Sequence, residues 1–219
     1  MLDGGPITAA RTAAVSGVAL RRWATRGGGA PRVAIIGAGV QGHAHVPMIG
    51  HVLPGSRLVI HDRDAARAAA LVISAGATEG IAGVESAATA REAVAGADIV
   101  LTAASFGPVQ QVMTPDWLRP GATVVAVDYA TYCSAEAARD AELFLVDERG
   151  QFDANRAAGA FEGYPDPAMT IGEALLAEVP RPAGRVVVTH LGVGLADVIF
   201  GAAILERAEA AGLGTILPR

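Results

Sequence analysis

Short apolar runs alternate with stretches of helical spacing along most of this chain. Residues 7–24 predict a helix, with Thr8 at a capping position and Val15, Val18 and Trp23 on an apolar side. Gly27-Gly28-Gly29 breaks it. Strands are predicted at 33–36, 58–60, 81–84, 99–103, 123–127, 143–146 and 186–189. Helices are predicted from Val40, over 65–75 and over 89–95, with a single turn at Thr114-Pro115-Asp116-Trp117-Leu118. Residues 151–167, rich in Gly, Ala, Asp and Pro, predict a long connection. Residues 194–211 predict an amphipathic helix through Leu195, Val198, Ile199, Ala202 and Leu205, with Gly212 placed to end it. Continuously apolar strands separated by helices imply an α/β fold, a Rossmann-type doubly wound parallel sheet covered on both faces.

The first strand runs into the most informative segment, Ile36-Gly37-Ala38-Gly39-Val40-Gln41-Gly42. Its G-x-G-x-x-G spacing follows a strand and opens a helix, and Asp62 closes the second apolar run twenty residues after Gly42. In a dinucleotide fingerprint Gly37 permits a tight turn, Gly39 lets backbone approach a pyrophosphate, and Gly42 lets the helix pack on the sheet. The helix N-terminus at Val40 and Gln41 then faces the phosphates with unpaired N–H groups. Asp62 suits the ribose hydroxyls of NAD, while Arg63 beside it leaves the extra phosphate of NADP open.

Composition narrows the function classes further. Of 219 residues 52% are apolar and 18% charged, which suits one large globular domain. A net charge of −5 without a basic stripe argues against nucleic acid as a partner. No apolar run has the length of a membrane span, and the N-terminus lacks signal-peptide character. Cys133 is the only cysteine, so no internal disulfide forms; this suits a cytoplasmic protein and a packing role for the thiol. His43 and His45, two apart on a helix, point to different faces and make no metal pair. His51, His61 and His190 stand alone and read as structural or surface residues, and Asp147-Glu148 reads as a solvated strand end.

Several segments together resemble the ornithine cyclodeaminase/μ-crystallin family. They are Leu2-Asp3-Gly4-Gly5-Pro6-Ile7-Thr8-Ala9-Ala10-Arg11-Thr12-Ala13-Ala14-Val15-Ser16, Ile36-Gly37-Ala38-Gly39-Val40-Gln41-Gly42-His43-Ala44-His45, Ala97-Asp98-Ile99-Val100-Leu101-Thr102-Ala103, Leu191-Gly192-Val193-Gly194-Leu195-Ala196-Asp197 and Gly212-Leu213-Gly214-Thr215. The resemblance implies hydride transfer between a nicotinamide cofactor and the α-carbon of an amino acid or cyclic imino acid. Members act as ornithine cyclodeaminases, alanine dehydrogenases or ketimine reductases. It implies that Arg11 holds the substrate carboxylate; by residue type alone Arg11 is a solvated helix charge. It places Thr102 and Ala103 beside the cofactor, has Thr12 approach it or merely pack, and keeps an acid near it at Asp197. The family aspartate that handles protons aligns nearer Ala130 than Asp128, so Asp128 either substitutes for it or simply ends the strand.

In the family an N-terminal part, with strands for the substrate pocket and dimer interface, precedes the segment resembling residues 2–16. The resemblance thus divides this chain into a helical segment of the substrate/dimerisation domain (1–26), a dinucleotide-binding domain (30–193) and a C-terminal helix and tail (194–219). It implies a shortened member, whether through a truncated gene, a late start or a minimal variant. It also implies loss of cover over Val15, Val18 and Trp23, and hence a homo-oligomer or a partner on that apolar face. The alternative is a non-catalytic dinucleotide-binding or interaction module.

Overall fold

The computed structural model of the protein describes residues 3–25, 29–105 and 110–215. The glycine break at 27–29 and the outer limits of the 1–26 and 194–219 segments fall partly outside them. The chain runs α1 (Gly4–Trp23), β1 (Arg32–Ile36), α2 (Val40–Val52), β2 (Ser56–His61), α3 (Ala65–Gly76), β3 (Ile81–Ser86), α4 (Ala90–Val94) and β4 (Ile99–Thr102). After a 3-10 turn at Pro115–Trp117 follow β5 (Thr123–Ala126), α5 (Ala135–Asp140), β6 (Leu143–Val146), α6 (Arg149–Ala157), β7 (Met169–Thr170), α7 (Ile171–Leu176), β8 (Val186–Thr189) and α8 (Gly194–Ala210).

The strands form one eight-stranded sheet in the order β3-β2-β1-β4-β5-β8-β6-β7. Every strand pairing in it is parallel. Chain order reverses between β1 and β4, so this is the doubly wound sheet expected from the alternating pattern, and a crevice opens beyond the carboxyl ends of these two strands. Alternate residues feed the two faces. Ala34, Ile36, Val100 and Val124 join one cluster, while Val33, Ile35, Ile99, Leu101 and Val125 join the other. Such two-sided burial leaves β4, β5, β6 and β8 buried at every position and largely apolar, with Thr102, Thr123 and Thr189 at strand ends.

Three expectations need correction. Asp3, not Thr8, caps α1, because its side chain accepts from the Gly5 backbone N–H and the helix starts earlier than the apolar spacing suggests. The stretch 151–167 is not all connection: α6 runs from Arg149 and is capped by Glu148, whose carboxylate accepts from Gly150 and Gln151 N–H. Trp23 has kept its cover. It is 0% exposed, packed with Leu143, Leu145, Val186 and Val188 against the far half of the sheet. Its indole N–H donates to Val179 O at 3.2 Å. The amphipathic helix α8 forms as expected, but it buries none of its residues, and Leu195 (68% exposed) and Ile199 (58%) belong to an outward apolar stripe. Spacing identified the stripe; it carries no information on what covers it. Gly212, at φ +65°, follows this helix as expected.

Replacing Trp23 by Ala should cost ~3–5 kcal/mol, because a fully enclosed indole leaves a cavity. Val18→Ala, at a residue 43% exposed, should cost less than ~1 kcal/mol. Urea denaturation of the two variants measures the difference. Equal costs would show that α1 is not fastened through Trp23.

Candidate functional site

Two glycines build the crevice floor by removing side chains between backbone segments. Gly37 leaves β1 at φ +107°, and a Cβ there would lie 2.4 Å from Ala103 O at the end of β4. A Cβ on Gly42 would lie 2.3 Å from Gly37 O. Both positions therefore exclude any larger residue. Gly39 is different: it precedes α2 with no side-chain cap, and a Cβ there would meet nothing within 4 Å. The first-turn N–H groups of α2, at Val40, Gln41 and Gly42, thus stand at the edge of open space, with no acidic residue in that turn. Gly39 is the one fingerprint glycine that the folded chain does not itself require, as expected of a position kept small for a ligand.

Strand-end aspartates hold the loops around this point. Asp62, after β2, accepts from Ala38 N–H at 2.7 Å and Asp64 N–H at 2.8 Å. Asp128, after β5, accepts from Thr102 Oγ1 at 2.6 Å and Ala104 N–H at 3.2 Å. Asp147, after β6, accepts from the N–H groups of Leu191 and Gly192 at 2.9 and 2.7 Å. Each carboxylate thereby fixes the loop of a neighbouring strand, β1, β4 and β8 respectively. Asp147 is therefore no solvated strand end; burial raises its pKa and the two N–H bonds oppose that. An Asp directly after an apolar run, as in Val127-Asp128 and Val146-Asp147, was the available sequence signal.

Two clefts meet at Ala104 and Ser105. The first, about 300 Å³, is lined by Gly37, Asp62, Arg63, Arg67 and Tyr132. The second, about 410 Å³, is lined by Thr8, Arg11, Thr12, Gly39, Val40, Gln41, Ala103, Val127, Tyr129 and His190. The fingerprint loop separates them. Of the residues singled out in sequence, Gly42, Thr102, Asp128 and Asp197 border neither cleft. Thr102 is fully buried with its hydroxyl on Asp128. Burial pushes the Asp128 carboxyl up to about 7 against the lowering effect of its Thr102 and Ala104 bonds. In this arrangement Asp128 positions Ala104.

Arg11 and Asp197 come together across 186 residues of chain. Arg11 Nε donates to Asp197 Oδ1 at 3.1 Å, joining α1 to α8. Gly192, at φ +94°, makes room for the guanidinium, since a Cβ there would lie 2.1 Å from Arg11 Nη1. Arg11 is thus not a solvated helix charge: its side chain is 13% exposed beside the second cleft. Asp197 lines neither cleft and acts through this ion pair.

The isolated histidines conceal a buried chain. Ser16 Oγ lies 2.8 Å from both His45 Nε2 and His190 Nε2. His45 Nδ1 lies 2.6 Å from Gln41 O. Burial lowers the pKa of His45 to about 4 and that of His190 to about 3, the latter helped by the positive charge of Arg11, so both rings are neutral near pH 7. Spacing could not reveal this, because Ser16 and His190 lie 174 residues apart. Cys133 is enclosed, and burial pushes its thiol up to about 12, in keeping with a packing role. Among the described residues no group of His, Cys, Asp or Glu forms a metal site, and no helix is long and apolar enough to cross a membrane.

Known proteins place this architecture. The chain is 31% identical over 226 residues to the nodulation efficiency protein NfeD of Rhizobium meliloti, spanning 99% of this chain and 67% of that protein. It is 31% identical over 127 residues to the ketimine reductase mu-crystallin of Mus musculus, a stretch covering 58% of this chain and 38% of that one. The fold matches the Thermococcus litoralis Δ1-pyrroline-2-carboxylate reductase, solved with NADH and L-proline, at a TM-score of 0.80 and 23% identity, over 96% of this chain and 68% of that one. The model of the ornithine cyclodeaminase/mu-crystallin family matches residues 1–209. With its glycine-floored crevice and doubly wound sheet, this chain belongs to the ornithine cyclodeaminase/mu-crystallin family.

Proposed function

We propose that this chain binds NAD(H) across the two clefts and supports redox chemistry at the α-carbon of an amino acid or cyclic imino acid. The observation that carries the reading is the open N-terminus of α2 at Gly39, between a cleft holding Asp62 and a cleft holding Arg11. A pyrophosphate fits there because the first-turn N–H groups and the helix dipole favour an anion. Asp62 keeps its carboxylate beside the adenosine ribose through the Ala38 bond. Arg63 and Arg67 line the same cleft, so NADP is the natural second ligand to titrate. When bound, the cofactor supplies the hydride donor or acceptor. Arg11, oriented by Asp197, presents a planar cation to a substrate carboxylate. Thr12, largely buried, lines the same cleft and narrows it.

We assign residues 30–193 to the dinucleotide domain, and residues 1–26 and 194–219 to a face shared with a substrate or dimerisation region. The outward apolar stripe of α8 supports this division and points to a second copy or another protein as its cover. A second reading, a dinucleotide-binding module without turnover, draws support from Asp128. Its carboxyl lies buried away from both clefts, and Ala130 stands where the family aspartate aligns.

Isothermal titration should show NAD(H) binding to the wild-type chain. Gly39→Val should fold normally, since a Cβ there meets no protein atom within 4 Å, yet lose measurable binding. Equal affinity in the variant would refute the pyrophosphate placement. With NADH bound, Arg11→Gln should weaken proline or alanine binding roughly 10- to 100-fold, through loss of a charge-assisted pair, and leave NADH affinity unchanged. Quenching of NADH fluorescence reads both. In sedimentation velocity over a concentration series the chain should self-associate, and Ile199→Glu should shift it toward monomer. A monomer at every concentration would remove α8 as an interface.

A further inference from the structure

The hydrogen-bond chain behind the second cleft has only one direction. Gln41 O is a carbonyl and can only accept, so His45 Nδ1 carries the proton of that contact. The neutral His45 ring then has a bare Nε2, and the Ser16 hydroxyl must donate to it. Ser16 Oγ in turn accepts from His190, so Nε2 is the protonated nitrogen of His190. His190 Nδ1 is left with a lone pair, and this atom is buried with no hydrogen-bond partner among the described residues. His190 itself is 1% exposed and forms part of the wall of the second cleft. An unpaired buried acceptor is destabilising, because it has given up its hydrogen bonds to water. The cost is recovered if a ligand brings a donor.

We propose that His190 Nδ1 accepts a hydrogen bond from the carboxamide N–H of the nicotinamide ring, with Ser16 and His45 as positioning residues that fix its tautomer. The inference rests on the nucleotide reading above and deepens it. Three observations favour the carboxamide. The cleft wall includes Gly39, Val40 and Gln41, so it continues directly from the pyrophosphate position. His190 follows β8 and its N–H bonds to Ala126 O of β5, at the carboxyl edge where the second half of a dinucleotide lies. The acceptor is a neutral imidazole in a nearly solvent-free position, which suits a neutral amide donor; a substrate ammonium would call for a carboxylate instead. The relay also ends on Gln41, inside the fingerprint, so one hydrogen-bond path links both halves of the proposed cofactor site.

The test compares NAD⁺ with its 3-acetylpyridine analogue, whose acetyl group has no N–H. Protein labelled with ¹⁵N-histidine is titrated with each, and calorimetry gives the affinities in parallel. NAD⁺ should move the resonance of the unprotonated His190 Nδ1 toward that of a hydrogen-bonded acceptor, and the analogue should not. Wild-type protein should prefer NAD⁺ roughly tenfold, as expected for one buried hydrogen bond. His190→Leu should lose most of that preference, and His190→Asn, which keeps an acceptor near the Nδ1 position, should retain part of it. Because the resonance is read on unaltered protein, the test stands even if the Leu variant does not fold. NAD⁺ binding without movement of Nδ1, or equal movement with both nucleotides, overturns the proposal and leaves the nucleotide reading intact. Movement on adding L-proline or L-alanine alone reassigns the acceptor to the substrate and overturns the carboxamide assignment. Absence of nucleotide binding overturns both.

Discussion

The backbone contact between the ends of β1 and β4 sets everything that follows in this structure. Gly37 passes so close to Ala103 that a single Cβ would come within 2.4 Å of the carbonyl oxygen. Gly42 is stacked equally tightly on Gly37. These two contacts draw α2 down onto the sheet and point its N-terminus across the crevice where the strand order reverses. A side chain at either position would lift the helix away from the sheet and disturb the division between the two clefts.

Around that contact, polar groups are used to hold loops. Asp62, Asp128 and Asp147 each secure the loop of an adjacent strand through backbone N–H groups. The Asp147 clamp matters at a distance. It fixes Leu191 and Gly192, and Gly192 is the position against which Arg11 packs. The second cleft is thus shaped by α1, which Trp23 fastens to the far half of the sheet, by the β8 loop that Asp147 holds, and by the relay through Ser16. The N-terminal helix is an integral wall of the site.

Much of the fold was legible because it follows from local chemistry. Apolar four-residue runs predict buried strands, and the glycine spacing predicts the turn after β1 and the helix start. What failed had a common cause. Thr8 looked like a cap because the apolar spacing began there, yet Asp3 reaches a backbone N–H one turn earlier. The stretch after Glu148 looked like loop because Gly, Asp and Asn weaken helix propensity, whereas Glu148 caps α6 and Phe152 anchors it in the core. Asp147 looked solvated because its partners, Leu191 and Gly192, lie far along the chain.

By itself, the sequence determined the parallel sheet, the dinucleotide fingerprint and the family resemblance. These depend on periodicity and on residue types at short spacing, which any local stretch displays. Only the tertiary structure decided that β8 inserts between β5 and β6, that Trp23 is enclosed while α8 turns its apolar stripe outward, and that Thr102 and Asp128 lie behind the clefts. It alone brought Arg11 to Asp197 and Ser16 to His190. Those outcomes depend on which surfaces meet after the chain has crossed the sheet many times. Such pairings are set by packing and hydrogen-bond geometry between distant segments, and one-dimensional order carries no signal for them.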